Sequence, residues 1–566
     1  MKMSQLRISC PQLRTRCAPL RHLPTHPLTL IHRVPVTPAL IHHIRAFSSS
    51  GHSEPSLSLQ QTLDIVAQQQ RLTPPEYLAS LNQVFNAALK ENSGTFWDDH
   101  RFTAFQAMLV KRLPAFGGAD VYRVLTAYAR LQYCPEGTLD DLCAALVENL
   151  GELSVLQLSH TAVILSALEV TDPTVLESYC QRVREHLPAP TEEGSTSPPS
   201  PLDPREATFL ALGLSHLGWR DLPTLHGLAT LVVEHCSRGK GGDGEGERLS
   251  GAQLSTLLLS FATLGVQHPS LYQHLCREIA DSLPSLAPQH LANVVLGLAT
   301  YGDYPIHLMT AIESRLSAVL SLYKTEDLLT VAWSLVALQF FSVDLLAHIG
   351  AAMARTLDRT ALSQDKERQL HQFSLTIELE APAEIKEKLV EKGVWNTLYQ
   401  PESVPTEPAS DSHPTVKAIV QQLSSCLDAL HVPHEQFLTV DGFYTADIAA
   451  TAPPHLTHTQ VGAPVSAAAK EEANCRVFFH VDDSTYDDFA EPLDPWVTLK
   501  HRHVVELGWK LVWVRVSDWD ALDSDGERMT YVKRELTGET TADVTDDTHE
   551  EEDGHDVDID ESGKSR

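Results

Sequence analysis

Three stretches of the chain decide its fold: Gln253-Leu-Ser-Thr-Leu-Leu-Leu-Ser-Phe-Ala-Thr-Leu-Gly265, His290-Leu-Ala-Asn-Val-Val-Leu-Gly-Leu-Ala-Thr-Tyr-Gly302 and Asp327-Leu-Leu-Thr-Val-Ala-Trp-Ser-Leu-Val-Ala-Leu-Gln339. Aligned on Leu254, Leu291 and Leu328, they are spaced 37 residues apart. The pattern continues upstream, with anchors at Ala207, Leu158 and Val121. Val121 to Leu158 is again 37, whereas the gaps on either side of Ala207 are 49 and 47. Each long gap contains an insert, Pro188 to Pro201 or Ser237 to Arg248, whose Pro/Ser or Gly content resists helix and marks a surface loop.

Within a repeat the apolar residues fall at the anchor and at +3, +4, +7 and +10. In the fourth unit these are Leu254, Leu257, Leu258, Phe261 and Leu264, one face of an α-helix. Small residues mostly occupy +8 (Ala129, Ser166, Ser215, Ala262 and Ala299, with Val336 in the sixth unit), which predicts close approach of neighbouring helices there. A turn follows, often with proline (Pro135, Pro173, Pro223, Pro269, Pro305), and then a second amphipathic helix such as Leu271 to Leu283. One such hairpin cannot bury its own apolar face, so the hairpins must stack. The expectation is a mainly α protein: an α-solenoid of helical hairpins over residues 117–398, closed by a degenerate unit from Gln369 to Thr397. A helical segment over 54–116 precedes it.

At anchor +2 the residues are Arg123, His160, Phe209, Thr256, Asn293 and Thr330. The apolar pattern does not require a core residue at that offset. Varied polar and stacking side chains at a fixed offset are what contact with successive bases needs. Arg123, His160 and Asn293 are therefore candidate RNA contacts, against the plainer reading of a variable, solvated helix position.

Charge sets limits on this reading. The formal net charge is -31, which argues against a general nucleic-acid binder. It is unevenly spread. Residues 1–53 hold seven Lys or Arg and no acid, and read as a disordered mitochondrial presequence, with Arg45-Ala46-Phe47-Ser48 resembling a matrix-peptidase site. A plain basic tail and a plastid address are the alternatives. Residues 537–566 hold twelve Asp or Glu and read as a disordered acidic tail. No apolar run is long enough for a membrane span. The nine cysteines form no CxxC pair, which argues against a zinc site or a disulfide framework.

After a Pro/Glu/Ser linker over 399–412, the pattern changes. Val416 to Leu430 reads as an amphipathic helix, Val440-Asp441-Gly442-Phe443 as a turn and Tyr444 to Ala450 as a strand; Thr451 to Ala469 reads as a loop. Arg476 to Asp482 reads as a second strand, with Val477, Phe479 and Val481 on one face and Phe478, His480 and Asp482 on the other. Asp494-Pro495 starts a helix that ends before Gly508, Lys510 to Val516 is a third strand, and a last helix covers Glu527 to Leu536. Strand–helix–strand order predicts a parallel crossover.

Residues 413–536 resemble the RAP domain, through His480-Val-Asp482-Asp483, Thr498-Leu-Lys500-His-Arg502, Gly508-Trp509-Lys-Leu-Val512 and Asp518-Trp519-Asp-Ala-Leu522. The resemblance covers about 125 residues, and the 37-residue units resemble heptatricopeptide repeats, which accompany RAP domains in organellar proteins. It implies a small α/β domain similar to the PD-(D/E)xK nuclease core, and a protein of the mitochondrial matrix acting in RNA processing, RNA stability or ribosome assembly. The implied partners are mitochondrial rRNA or mRNA and mitochondrial ribosomal proteins, with no membrane.

Two further readings stay open. One is a scaffold in a mitochondrial ribonucleoprotein, held mainly by proteins. The other is a Mg-dependent endoribonuclease. A nuclease of that core needs carboxylates on adjacent strands, and Asp447 and Asp482 would supply them; His480 and Asp482 stand where the family has its Glu and the nucleases their Lys. Unless it is a nuclease, no cofactor is expected. For binding, Lys500, His501 and Arg502 on the expected exposed face of the crossover helix, with Arg476, Lys510 and Arg515, form the candidate basic patch. Trp509 and Trp519 are stacking candidates that read more simply as core.

Overall fold

The computed structural model describes residues 57–69, 72–91, 96–187, 202–238, 248–401, 404–407, 414–452, 475–482 and 494–537. The expected presequence, the first insert, most of the second, half of the linker, the loop after residue 452 and the acidic tail after residue 537 lie outside the described residues. Among those residues the chain is mainly helical, with one small four-stranded sheet near the C-terminus. It divides into two compact units. The first comprises residues up to Glu407 together with 484–506, and the second comprises 408–483 with 507–566. The helix after Asp494, expected within a 413–536 domain, thus groups with the first unit.

The first unit opens with α1 (Leu59–Gln68), α2 (Pro74–Glu91) and α3 (His100–Arg112). Six hairpins follow: α4 (Gly118–Ala129) with α5 (Glu136–Asn149), α6 (Val155–Ala167) with α7 (Pro173–Arg184), α8 (Pro204–Leu217) with α9 (Leu222–Arg238), α10 (Gly251–Thr263) with α11 (Pro269–Ser282), α12 (Pro288–Tyr301) with α13 (Ile306–Val319), and α14 (Thr325–Ala337) with α15 (Val343–Thr356). A last pair, α16 (Gln364–Leu379) and α17 (Ala383–Glu391), is followed by the short α18 (Trp395–Leu398). First helices pack on first helices of adjacent hairpins, and second helices on second helices, so the array has two layers.

The six anchors lie in the first helices, and each is at most 2% exposed. Helix starts are encoded locally. Ser154, Asp203 and Ser250 each form a capping box with Gln157, Glu206 or Gln253, satisfying backbone N–H groups that a helix start leaves without partners.

Helix ends follow a rule that spacing alone did not reveal. The residue at anchor +11 has positive φ in every unit: Gln132 (53°), Glu169 (55°), Gly218 (65°), Gly265 (61°), Gly302 (79°) and Gln339 (55°). The chain must turn there through the left-handed region to start the return helix, and glycine does so without a Cβ penalty. Gln132→Gly is accordingly expected to stabilise the first hairpin by about 1 kcal/mol, read as a higher urea midpoint at unchanged slope. An unchanged or lower midpoint would count against the rule.

First helices also approach closely at +6, beside +8, where the Ser215 hydroxyl meets Ser260 of the next first helix at 3.4 Å. A Cβ on Gly213 would stand 2.4 Å from Ala162, and one on Gly297 would stand 3.1 Å from Leu258. In both cases a +6 glycine meets the +4 residue of the preceding first helix.

The second unit contains α19 (Pro414–Ala429), β1 (His434–Val440), β2 (Tyr444–Ala452) and β3 (Cys475–Asp482). The chain then contributes α20 (Pro495–Glu506) to the first unit and returns as β4 (Lys510–Arg515), α21 (Val516–Asp520) and α22 (Asp525–Thr537). The sheet order is β1-β2-β3-β4, antiparallel except for the parallel β3–β4 pair. β1 is not among the expected strands. It joins β2 through the three-residue loop Asp441-Gly442-Phe443, whose first two residues are left-handed, with φ values of 49° and 77°. One sheet face, with Ile448, Ala450, Val477, Phe479, Val481, Val512 and Val514, packs with Val420, Leu423, Trp519, Val532 and Leu536 of the helices into the core.

Candidate functional site

The expected patch on α20 is not an exposed one. Lys500 and His501 are buried, at 4% and 8% exposure. Helix α20 packs on α14 and α16, extending the layer of first helices by one member. Arg502 and His503 are engaged in that contact. Arg502 donates from Nε to Glu380 Oε2 at 2.9 Å, and from its other nitrogens to Glu380 and to the carbonyls of Ala337 and Val336. Those carbonyls end α14, where a cation is favoured by the helix dipole. Lys500 Nζ lies 2.9 Å from Glu407 Oε2, and Trp496 donates to the other oxygen of that carboxylate at 3.2 Å.

A buried histidine completes the contact. His503 Nε2 is 2.9 Å from Thr376 Oγ1 and 3.4 Å from Glu380 Oε1. The Thr376 hydroxyl donates to the Gln372 carbonyl, so His503 Nε2 is the donor to Thr376. Burial first, then the neighbouring Arg502 and His371, push His503 down to about 3. Burial lifts the Glu380 carboxyl above its ordinary value despite Arg502. Gln372 bridges the helices by accepting from Trp333 Nε1 at 2.7 Å and donating to the Trp496 carbonyl at 3.2 Å.

The anchor +2 row is mixed. Arg123 is exposed, with Asp120 at 3.5 Å, and Asn293 is half-buried. His160 is buried instead of solvated, 3.5 Å from the Tyr122 hydroxyl and edge-on to Phe209 with ring centroids 4.8 Å apart. Thr256 and Thr330 bond back to their own helices, and Thr330 also accepts from Lys366. One cation in six positions, itself beside a carboxylate, gives this row little attraction for phosphate.

In the second unit the sheet face away from the core carries polar and aromatic residues. The β2–β3 ladder ends at Ile448–Phe479, and beyond it the Asp447 side chain takes the place of a backbone partner, accepting from Val481 N–H at 2.7 Å. His480 Nδ1 lies 3.3 Å from the same carboxylate oxygen. Asp482 accepts from Trp513 Nε1 at 3.2 Å. The two carboxylates proposed for a metal therefore have different protein partners, and the described residues include no group of three or more His, Cys, Asp or Glu placed to hold a metal ion.

Arginines lie over aromatic rings on this unit. The Arg515 guanidinium is 4.4 Å from the Trp513 ring centre, and that of Arg476 is 4.6 Å from Trp509. Arg534 lies 5.0 Å over Tyr531, and Arg528 lies 6.0 Å over Trp519. Folded proteins show about one such pair per 70–80 residues, so four here is a local concentration. Arg476 is exposed and Trp509 half-buried, whereas Trp519 is fully buried. Trp513 was missed as a candidate; its alternation with Arg515 on a strand was the available signal. Among the described residues no helix is long and apolar enough to cross a membrane.

The sequence matches no protein-family model and no curated protein.

Proposed function

We propose that this chain is an organellar RNA-associated protein, in which an α-solenoid of heptatricopeptide-like hairpins carries a RAP-type α/β domain of the PD-(D/E)xK lineage. Its place is the mitochondrial matrix, in RNA processing, RNA stability or ribosome assembly. The observation that carries the reading is the set of arginines stacked on aromatic rings in the second unit, chiefly Arg476 on Trp509 and Arg515 on Trp513. Such surfaces offer cation and π-face together, which single-stranded RNA uses.

The acidity of the chain predicts that few phosphates are contacted and that stacking supplies much of the affinity. Ultraviolet crosslinking in intact mitochondria tests the reading. Recovery of discrete RNA fragments on the protein is expected, and no RNA above an untagged control would refute it.

A second reading, a scaffold held mainly by proteins, is favoured by the nearly uncharged anchor +2 row. The two readings combine if the array binds protein while the C-terminal unit touches RNA. Hydrolysis has weaker support, because Asp447 and Asp482 have separate partners.

A further inference from the structure

Each of the two best-formed arginine–tryptophan pairs has a carboxylate as third member. Trp509 Nε1 donates to Asp441 Oδ2 at 2.9 Å while Arg476 lies over its ring. Trp513 Nε1 donates to Asp482 Oδ2 while Arg515 lies over its ring. The same Asp–Trp–Arg arrangement thus occurs twice. In each, the carboxylate fixes the plane of the indole by holding its only donor, and its charge makes the ring a better seat for a cation.

Both arrangements lie on one side of the sheet. Trp513 and Arg515 alternate along β4 with the core residues Val512 and Val514, and pair with His480 and Asp482 of β3. Trp509 has the same parity and touches Phe478 edge-on, which faces the same way as His480. Four residues of strand separate the two indoles, about 13 Å. Among the described residues no carboxylate lies within salt-bridge distance of Arg476 or Arg515. Arg476 is held instead by the Leu507 carbonyl at 2.7 Å. Structural arginines in an acidic protein ordinarily find carboxylates. Here the carboxylates bond the indoles, leaving both guanidinium planes stacked, with one Arg476 nitrogen on the Leu507 carbonyl and the rest of both edges clear of carboxylates.

We propose that these two Asp–Trp–Arg arrangements are a pair of seats for bases of one single-stranded RNA segment running along β4. A base stacks on each arginine–indole pile, and the guanidinium edge donates to the adjoining phosphate or base carbonyl. This rests on the RNA-associated reading and gives it a place and a ligand: unpaired nucleotides, not duplex.

The test uses the full-length chain and a short fluorescently labelled single-stranded RNA of mixed sequence, read by anisotropy over a salt series. The double variant Arg476→Lys/Arg515→Lys keeps every charge but removes the planar stack. Its affinity should fall about tenfold or more with an unchanged salt slope. Affinity equal to the parent chain would overturn the seats while leaving the RNA reading intact; absence of RNA binding by the parent chain would overturn both. Should the double variant melt early, tryptophan fluorescence of the parent chain supplies the second readout. Single-stranded RNA should quench it more than the duplex of the same sequence, and equal or no quenching would overturn the proposal.

Discussion

Arg502→Ala is expected to free α20 from the helical array. The substitution removes four hydrogen bonds, leaves the Glu380 carboxylate buried beside neutral His503, and strips the donor from the Val336 and Ala337 carbonyls. Breaking a buried pair from one side costs about 3–5 kcal/mol, more than the pair contributes net, because the remaining charge has no compensation. Arrays of repeats lose stability locally, so the effect belongs at the C-terminal end of the array. Amide exchange over Pro495–Glu506 should quicken by about two to three orders of magnitude, at about 1.4 kcal/mol per tenfold. Exchange in α4 to α10 should hardly change. Replacing Arg502 and Glu380 together by Met and Gln should recover much of the loss, since no charge is then buried alone. Unchanged exchange in α20 after Arg502→Ala would refute the assignment of this contact.

Acid should weaken the helical unit well above the range of ordinary carboxylates. Burial holds His216 and His371 down at about 4, and His503 at about 3, against 6.5 in the unfolded chain. Each ring is neutral in the folded state, so below pH 6.5 the unfolded state binds a proton that the folded state refuses. Stability is therefore fully present above pH 6.5 and is lost as pH falls toward the folded-state values. Between pH 7.5 and 5.5 each histidine removes about 1.3 kcal/mol, or about 4 kcal/mol for the three. Glu206, Asp327 and Glu380 act with the opposite sign, because burial raises them and the folded state then takes up protons first. Their window begins above the ordinary carboxylate values and overlaps the lower part of the histidine window. His503→Gln should remove about one third of the slope near pH 6. A urea midpoint flat from pH 7.5 to 5.5 would contradict the neutral, buried assignment.

The sequence alone misplaces Arg502. Read alone, α20 has an apolar set of Trp496, Leu499 and Val504, and leaves Lys500 and Arg502 for solvent. Their partners, Glu407 and Glu380, are 93 and 122 positions away in the chain, and no periodicity links them. Consequently Lys500→Glu and Arg502→Glu do not report cleanly on RNA affinity, because both would disturb folding first.

Elements with a strong periodic signature were legible. The 37-residue spacing located the first helices, and alternation assigned both faces of β3. β1 was hidden by its composition: His434-Glu435-Gln436 is polar and half-exposed, as suits an edge strand, and only Asp441-Gly442 announced a hairpin. His160 looked like a solvated reader because anchor +2 is not required by the apolar stripe; the neighbouring Tyr122 and Phe209, on separate repeats, bury it. Arg476 was legible as a cation but not as part of a stack, since Asp441 and Trp509 are distant in sequence.

Under the function proposed above, RNA meets this chain on the C-terminal sheet and not along the helical array. The most direct test is to crosslink RNA to the protein in intact mitochondria and map the attached peptides by mass spectrometry. Crosslinks are expected on the peptides holding Arg476, Trp509 and Trp513. Crosslinks confined to the first helices of the array, at Arg123 or Asn293, would contradict it.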